Sequence, residues 1–149
     1  MMLEAGVEFF DLLVGVETAL WNRVEGELLA ADQVGLGTWM ALRVLHRHGG
    51  GRRVRDLRAG LSITVGAASK LVDRLERDGL AVRRPHPDDR RSSLIVLTDA
   101  GERARTEGER LARRTLTAVL GDTTDVAAVT AALVRLQARL VSADEGALV

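Results

Sequence analysis

The chain has 149 residues, 46% of them hydrophobic, which is enough for one domain with a substantial apolar core. It contains no cysteine, which excludes disulfide bonds and thiolate metal sites. The formal net charge is zero, but 13 basic and six acidic side chains fall within residues 43–91, between two net acidic flanks. A basic zone of this kind is typical of a phosphate-binding face, although charge runs also occur on solvated helices.

The sequence shows no sign of a membrane segment or of a catalytic site. No basic N-terminal region precedes a long apolar run, and no segment approaches the ~20 apolar residues that cross a bilayer. We therefore expect a cytoplasmic protein without a membrane partner. The three histidines and the scattered carboxylates form no catalytic or metal-ligating set, so no enzyme activity, cofactor or metal is predicted.

Two helices are predicted in the N-terminal third of the chain. Over residues 7–30, apolar side chains recur along one side at steps of three or four, or multiples of them: Phe10, Leu13, Leu20, Val24 and Leu28. The glycines within residues 32–37 predict a loop. Thr38 can then cap a second helix over residues 39–48, which the triplet Gly49–Gly51 would end.

The basic middle of the chain has the pattern of a helix-turn-helix. Residues 54–60 are long enough for two helical turns, and a short turn leads to a second helix over residues 65–78. Thr64 or Ser62 can cap the second helix, and Gly79 can end it in a left-handed conformation. Its apolar side, which we assign to the core, consists of Leu71, Val72 and Leu75. A helix of this size fits the major groove of duplex DNA.

A two-stranded hairpin is predicted after this helix. Residues 80–84 alternate apolar and polar side chains, and residues 93–97 are their natural antiparallel partner. The sequence PHPDDRR, residues 85–91, joins them as a turn rich in arginine, proline and aspartate. Because an arginine-tipped loop can enter a minor groove, we interpret the hairpin as a wing.

Two further helices follow the predicted wing. Thr98 can cap a helix that runs to about Leu120 and has Asp99 and Glu102 in its first turn. After Gly121, apolar residues recur at steps of 3, 4, 3 and 4 in a heptad-like seam: Val126, Val129, Leu133, Leu136 and Leu140. Such a seam usually packs against a neighbouring helix, either in the same subunit or in a second copy of the chain.

Together these segments resemble the MarR family of winged helix-turn-helix transcription regulators over almost the whole chain. ASKLVDRLERDGLAVRR, residues 68–84, is similar to the family's recognition helix and first wing strand. DDRRSSLIVLTDAG, residues 88–101, contains the family's Asp-x-Arg wing element and its Leu-Thr-x-x-Gly helix entry. GTWMALRVL, residues 37–45, resembles the family's second helix. FFDLLVGVETALWN and ITVGAASKLVDR are also similar to the urate-responsive branch of the family.

The resemblance implies a mainly α-helical fold with a small β-hairpin wing, in one domain spanning residues 1–149. Residues 36–98 would form the winged helix-turn-helix, and residues 99–120 a connecting helix. Residues 1–35 and 121–149 would supply the dimerisation helices. The implied function is that of a regulator, commonly a repressor, which binds double-stranded DNA as a homodimer. By two-fold symmetry its operator would be an inverted repeat with half-sites about one helical turn apart.

The expected DNA-binding residues of the recognition helix and the turn before it are Ser62, Thr64, Ala68, Ser69, Lys70 and Arg74. Ser69, Lys70 and Arg74 match positions that in the family approach bases or phosphates. Thr64 and Ala68 lie early in the helix, where they can meet base edges or thymine methyl groups. Alternatively, Arg74 pairs with Asp78 one helical turn further on.

The wing supplies the second group of expected DNA contacts. The resemblance implies that Arg91, and with it Arg90, enters the minor groove, and that Asp89 orients Arg91 through an ion pair. Arg83 and Arg84 are interpreted as phosphate contacts, which contribute affinity without sequence preference.

Regulators of this family usually respond to a small molecule, often an aromatic or organic anion. It binds between the dimerisation helices and the DNA-binding part and shifts the spacing of the two recognition helices. Here Trp21, Trp39 and His46 can line a cleft between the first two helices, where Arg43 or Arg58 can meet a carboxylate. The alternative is that both tryptophans are ordinary core residues. A winged-helix adaptor that binds protein instead of DNA is the competing function, because fold alone does not determine function.

Overall fold

The computed structural model describes residues 2–47, 51–121 and 124–146, which form six helices and one antiparallel hairpin. The elements are α1 (Met2–Ala30), α2 (Leu36–His46), α3 (Val54–Leu61), α4 (Val65–Arg77), β1 (Ala81–His86), β2 (Asp89–Leu97), α5 (Asp99–Leu120) and α6 (Thr124–Gly146). The predicted fold class, mainly α with a small hairpin, is confirmed. The chain divides into two compact units, residues 1–115 and residues 116–149.

The first two helices begin earlier than the sequence pattern predicts. Helix α1 starts at Met2 rather than at residue 7. Helix α2 starts at Leu36, and the prediction that Thr38 caps it is wrong. The backbone N–H of Leu36 donates instead to the carboxylate of Glu25 on α1, which takes the place of a local cap. Helix α2 ends at His46, and the predicted terminator at Gly49 and Gly50 lies outside the described residues.

Helices α2, α3 and α4 enclose the main core, together with the base of the hairpin. Leu42, Leu57 and Ile95 are fully buried there. Leu71, Val72 and Leu75 belong to the same cluster, as predicted. Thr64 caps α4 by accepting a hydrogen bond from the N–H of Ala67 at 3.2 Å. The core thereby fixes one side of α4 and leaves its other side in solvent.

The hairpin has longer strands and a shorter turn than expected. Strands β1 and β2 pair from Ala81–Leu97 to His86–Asp89, with an irregularity between Pro85 and His86. Most of the segment interpreted as a turn is therefore strand, and only residues 87–88 form the connection. The base of the hairpin is joined to the chain before α3, because Arg52 and Ile95 exchange backbone hydrogen bonds of 2.9 and 2.7 Å.

Helix α5 begins as predicted, with Thr98 accepting a hydrogen bond from the N–H of Gly101 at 3.1 Å. The same hydroxyl donates to the carbonyl oxygen of Gly79 at 2.6 Å, which ties the start of α5 to the end of α4. Gly79 has φ +70°, the left-handed conformation expected after the last turn of a helix. Residues 99–120 form this one helix, as the sequence predicts.

Several large apolar side chains remain exposed on α1 and α6. On α1 the predicted stripe is buried only in its second half, at Val24 and Leu28, whereas Phe10 is 62% exposed. On α6 the heptad-like positions Val129 and Leu140 are also exposed. In the described part of the chain no single helix is long and apolar enough to span a membrane. One bent pair, residues 99–120 with 125–141, passes that test by length and composition only.

Candidate nucleic-acid interface

Helix α4 has three exposed cations, Lys70, Arg74 and Arg77. Lys70 and Arg74 are exposed, and no ion pair to either of them is found among the described residues. The alternative pairing of Arg74 with Asp78 is not formed, because Asp78 lies 3.8 Å from Arg77 instead. Lys70 and Arg74 are therefore available to a polyanion, as expected for a helix that binds DNA.

The prediction that Ala68 contacts DNA is wrong. Its side chain is fully buried in the core and cannot reach a base edge. The periodicity of α4 puts Ala68 with Leu71, Val72 and Leu75 on the packed side. Ser69, next to it, is half-buried.

In the turn before α4, Ser62 and Thr64 mainly end one helix and begin the next. Ser62 ends α3 in a left-handed conformation, with φ +54° and its backbone N–H bound to carbonyl oxygens of that helix. Thr64 uses its hydroxyl oxygen to cap α4. Both residues are exposed, so their side chains stay accessible at the end of α4 that a recognition helix presents to bases.

Arg83 does not stand free for a phosphate. Its guanidinium is bound by two carboxylates of α4, Asp73 at 2.7 Å and Glu76. The backbone N–H of Arg83 also donates to Glu76, at 3.0 Å. Arg83 thus connects β1 to α4 and is not an unpaired cation.

The wing tip is held against the start of α3 by Arg53, a residue whose role no local sequence pattern indicates. The Arg53 guanidinium lies 3.0 Å from His86 Nε2 and 3.8 Å from Asp89 Oδ2. Its backbone N–H donates to Asp56 at 3.0 Å. Arg84 is exposed on β1. The backbone of residues 90–91 lies on β2, but both arginine side chains, and hence the predicted Asp89–Arg91 pair, lie outside the described residues.

An apolar cavity of about 410 Å³ adjoins α4 on the side that faces α1, α2 and α3. Its lining residues are Trp21, Gly37, Met40, Leu61, Ile63, Ala67, Lys70, Leu71 and Arg74. Trp21 is the one residue of the predicted ligand set in this lining, and its side chain is 40% exposed. Sequence periodicity could not find this cavity, because four separate elements form its walls.

The other predicted ligand residues lie elsewhere. Trp39 is 5% exposed and packs against α5, where its indole N–H donates to the carbonyl oxygen of Arg105 at 3.1 Å. Arg43 stacks on the Trp39 ring at 4.8 Å and pairs with Glu109 at 3.2 Å. The expectation that Trp21 and Trp39 line one cleft is therefore wrong, and Trp39 is a core residue.

His46 and Arg58 also lie away from the cavity that Trp21 lines. His46 Nδ1 lies 2.9 Å from Glu102 on α5, and Arg58 is exposed on α3. Burial acts to raise the pKa of Glu102, but hydrogen bonds with His46 and Arg105, together with their positive charge, outweigh it and lower that pKa below its ordinary value. These contacts join α2 to α5 and have a structural role.

Known proteins with a similar sequence or structure were compared with this chain. Residues 33–92 match the model of the MarR family, whereas no curated protein sequence matches the chain significantly. The transcriptional regulator BldR from Sulfolobus solfataricus is similar in structure, with a TM-score of 0.83 at 18% identity over 93% of this chain and 99% of BldR. The match to the family model spans 60 of the 149 residues, and the structural similarity shows a shared fold over most of the chain. Members of this family are regulators and not enzymes.

Two solved structures of CouR are also similar to this chain. CouR from Rhodococcus jostii RHA1 bound to p-coumaroyl-CoA has a TM-score of 0.75 at 25% identity, covering 85% of this chain and 87% of CouR. The transcriptional repressor CouR bound to a 23-mer DNA duplex has a TM-score of 0.74 at 25% identity, covering 85% and 89%. The urate-responsive branch of the family finds no support in these comparisons.

Proposed function

We propose that the protein binds an inverted-repeat operator as a homodimer and represses transcription until a small aromatic or anionic effector releases it. The observation that carries the proposal is the pair of exposed cations Lys70 and Arg74 on α4, which have no ion-pair partner among the described residues and lie in the helix that precedes the arginine-bearing hairpin. Similarity to CouR, a repressor solved on a DNA duplex, supports the same orientation toward DNA.

The contacts divide between the two grooves. Helix α4 enters the major groove, where Thr64 and Ser69 meet bases and Lys70 and Arg74 meet phosphates or guanine edges. Ser62, just before this helix, contacts the sugar-phosphate backbone of the DNA. The hairpin enters the flanking minor groove with Arg90 and Arg91, which Asp89 orients, while Arg84 binds phosphate.

Two copies of the chain are needed for an inverted repeat. The exposed apolar side chains in the first half of α1 and along α6 supply a surface for the second copy. An exposed apolar patch on a helix commonly marks a contact with another protein. Residues 1–35 and 121–149 therefore remain our assignment for the dimerisation helices, and residues 36–98 for the DNA-binding part.

A mobility-shift titration on the DNA upstream of the protein's own coding sequence tests the proposal. Arg74→Ala and Arg91→Ala should each raise the dissociation constant by about 5- to 150-fold, the usual cost of a lost arginine contact to DNA. Arg103→Ala, at an exposed site on α5, is the matched control and should bind like the parent protein.

Thermal unfolding of all four proteins, the parent included, separates lost contacts from lost structure. Unchanged affinity in both Arg74→Ala and Arg91→Ala would refute the assigned interface. Failure to bind any duplex would instead favour the protein-binding adaptor. A panel of aromatic acids and purines is then added to the protein–DNA complex. Release of DNA by an aromatic acid would identify the class of effector, and release by a purine would support the resemblance to the urate-responsive branch.

A further inference from the structure

Val65 is a large apolar side chain that is exposed in the helix-turn-helix. It is 62% exposed, and among the described residues from 31 to 81 it is the one large hydrophobic residue on the surface. It is also the first residue of α4, the helix that the proposed function assigns to the major groove. Its position is therefore at the end of α4 that a recognition helix presents to bases.

The surroundings of Val65 leave its side chain accessible. The cap formed by Thr64 and the N–H of Ala67 fixes the first turn of α4. A Cβ added at Gly66 would meet no heavy atom from elsewhere in the chain within 4 Å, so the space beside Val65 is open. The first turn of α4 contains no acidic side chain that would repel a phosphate or a base oxygen. Ala68, one turn further on, is fully buried and offers no apolar surface.

We propose that Val65 is a specificity-determining residue that packs against the C5-methyl group of a thymine in each half-site of the operator. The inference rests on the proposed function and specifies one base that α4 reads. A valine side chain forms no hydrogen bonds, so it does not read the donors and acceptors of base edges. The methyl group of thymine is the one apolar group that base pairs present in the major groove. Contact between the two removes apolar surface of both from water.

This role differs from that of the cations on the same helix. Contacts of Lys70 and Arg74 with phosphates release counterions and therefore weaken as salt rises. Contact of Val65 with a methyl group releases none. The preference for thymine should therefore stay nearly constant under salt conditions that lower the overall affinity.

Replacement of thymine by deoxyuridine tests the contact, because the two nucleosides differ only in the C5-methyl group. The best-bound duplex is first selected from a random-sequence pool with the parent protein, and its thymines are then replaced one position at a time. We expect one position in each half-site where replacement weakens binding by about fourfold, and by about 16-fold in both half-sites together, the size expected for one buried methyl group per subunit. The same ratio should be found at low and at high salt.

Variants then assign the methyl contact to a residue. Val65→Ala should bind the duplex more weakly and lose the difference between thymine and deoxyuridine at that position, while it folds like the parent because Val65 is exposed and alanine favours a helix. Thr64→Ser removes the other methyl group at the start of α4 but keeps a capping hydroxyl, so it should retain the difference. Val82→Ala, at the exposed valine of β1, is the matched control and should bind both duplexes like the parent.

Two results would overturn the inference while leaving the proposed function intact. One is a selected duplex in which no thymine methyl group affects binding. The other is a Val65→Ala protein that depends on the methyl group as strongly as the parent does, which would make Val65 an exposed residue without a part in recognition. A protein that selects no duplex from the pool would overturn the inference and the proposed function together.

Discussion

At the scale of single residues, Gly108 sets how closely α5 approaches α2. A Cβ at this position would lie 2.3 Å from Cδ1 and 2.6 Å from Nε1 of Trp39. The Trp39 ring cannot retreat easily, because it is buried, holds a hydrogen bond to the carbonyl oxygen of Arg105 and carries Arg43 on its face. The glycine therefore has a packing role, even though it lies within a helix where alanine would otherwise be favoured.

We accordingly expect Gly108→Ala to lower the free energy of unfolding by about 1–3 kcal/mol, the usual cost of overpacking. Gly26→Ala is the matched control, since it lies within α1 and its added Cβ meets no heavy atom within 4 Å. That control should be neutral or stabilise by up to about 1 kcal/mol. Urea titration of both variants measures the difference, and equal stability of the two would contradict the packing role of Gly108.

At the scale of elements, the link between β1 and α4 sets the position of the wing relative to the recognition helix. Arg83 on β1 is bound by Asp73 and Glu76 on α4, through both its side chain and its backbone N–H. In the proposed complex with DNA, the same guanidinium would offset the negative charge of two carboxylates on the helix assigned to the major groove. Arg83 can thus support DNA binding without touching DNA.

A double-mutant cycle distinguishes this role from a phosphate contact. We expect Arg83→Met to weaken DNA binding in the parent protein but to have much less effect in Asp73→Asn/Glu76→Gln, with a coupling energy of about 0.5–3 kcal/mol. A direct phosphate contact would give the same loss in both backgrounds. Fluorescence anisotropy with one labelled duplex measures all four affinities, and thermal melts confirm that each variant is folded.

Local patterns in the sequence were sufficient for most elements but not for their connections. The spacing of apolar residues located α1, α4 and α6, and Thr64, Gly79 and Thr98 ended or capped helices as their chemistry predicts. The start of α2 was missed because its cap is Glu25, a side chain from another helix. The hairpin was predicted too short because backbone pairing extends the strands through residues of poor strand propensity.

The candidate site was only partly predictable for the same reason. Lys70 and Arg74 followed from the motif, whereas the burial of Ala68 and the pairing of Arg83 depend on tertiary contacts. The tryptophans could not be assigned from composition. Both are large and apolar, but one packs against α5 and the other lines the cavity beside α4.

At the scale of the whole molecule, the net positive charge and most of the exposed apolar side chains belong to different segments of the chain. The net positive charge lies within residues 43–91, and the flanking segments are net acidic. Exposed apolar side chains are concentrated on α1 and α6. A dimer formed through these helices would contain two copies of the basic middle segment, one in each subunit.

The salt dependence of DNA binding tests the dimer and the interface at once. Lys70, Arg74, Arg84, Arg90 and Arg91 give up to five phosphate-neutralising groups in each subunit. Counterion release then predicts a slope of log K against log salt of about −9 for a dimer and about −4.5 for a monomer. Arg74→Met should make the slope shallower by about 2 in a dimer, which loses two cations, but by only about 1 in a monomer. Sedimentation of the parent protein at micromolar concentration gives the stoichiometry independently, and a monomer with the shallow slope would refute the homodimer.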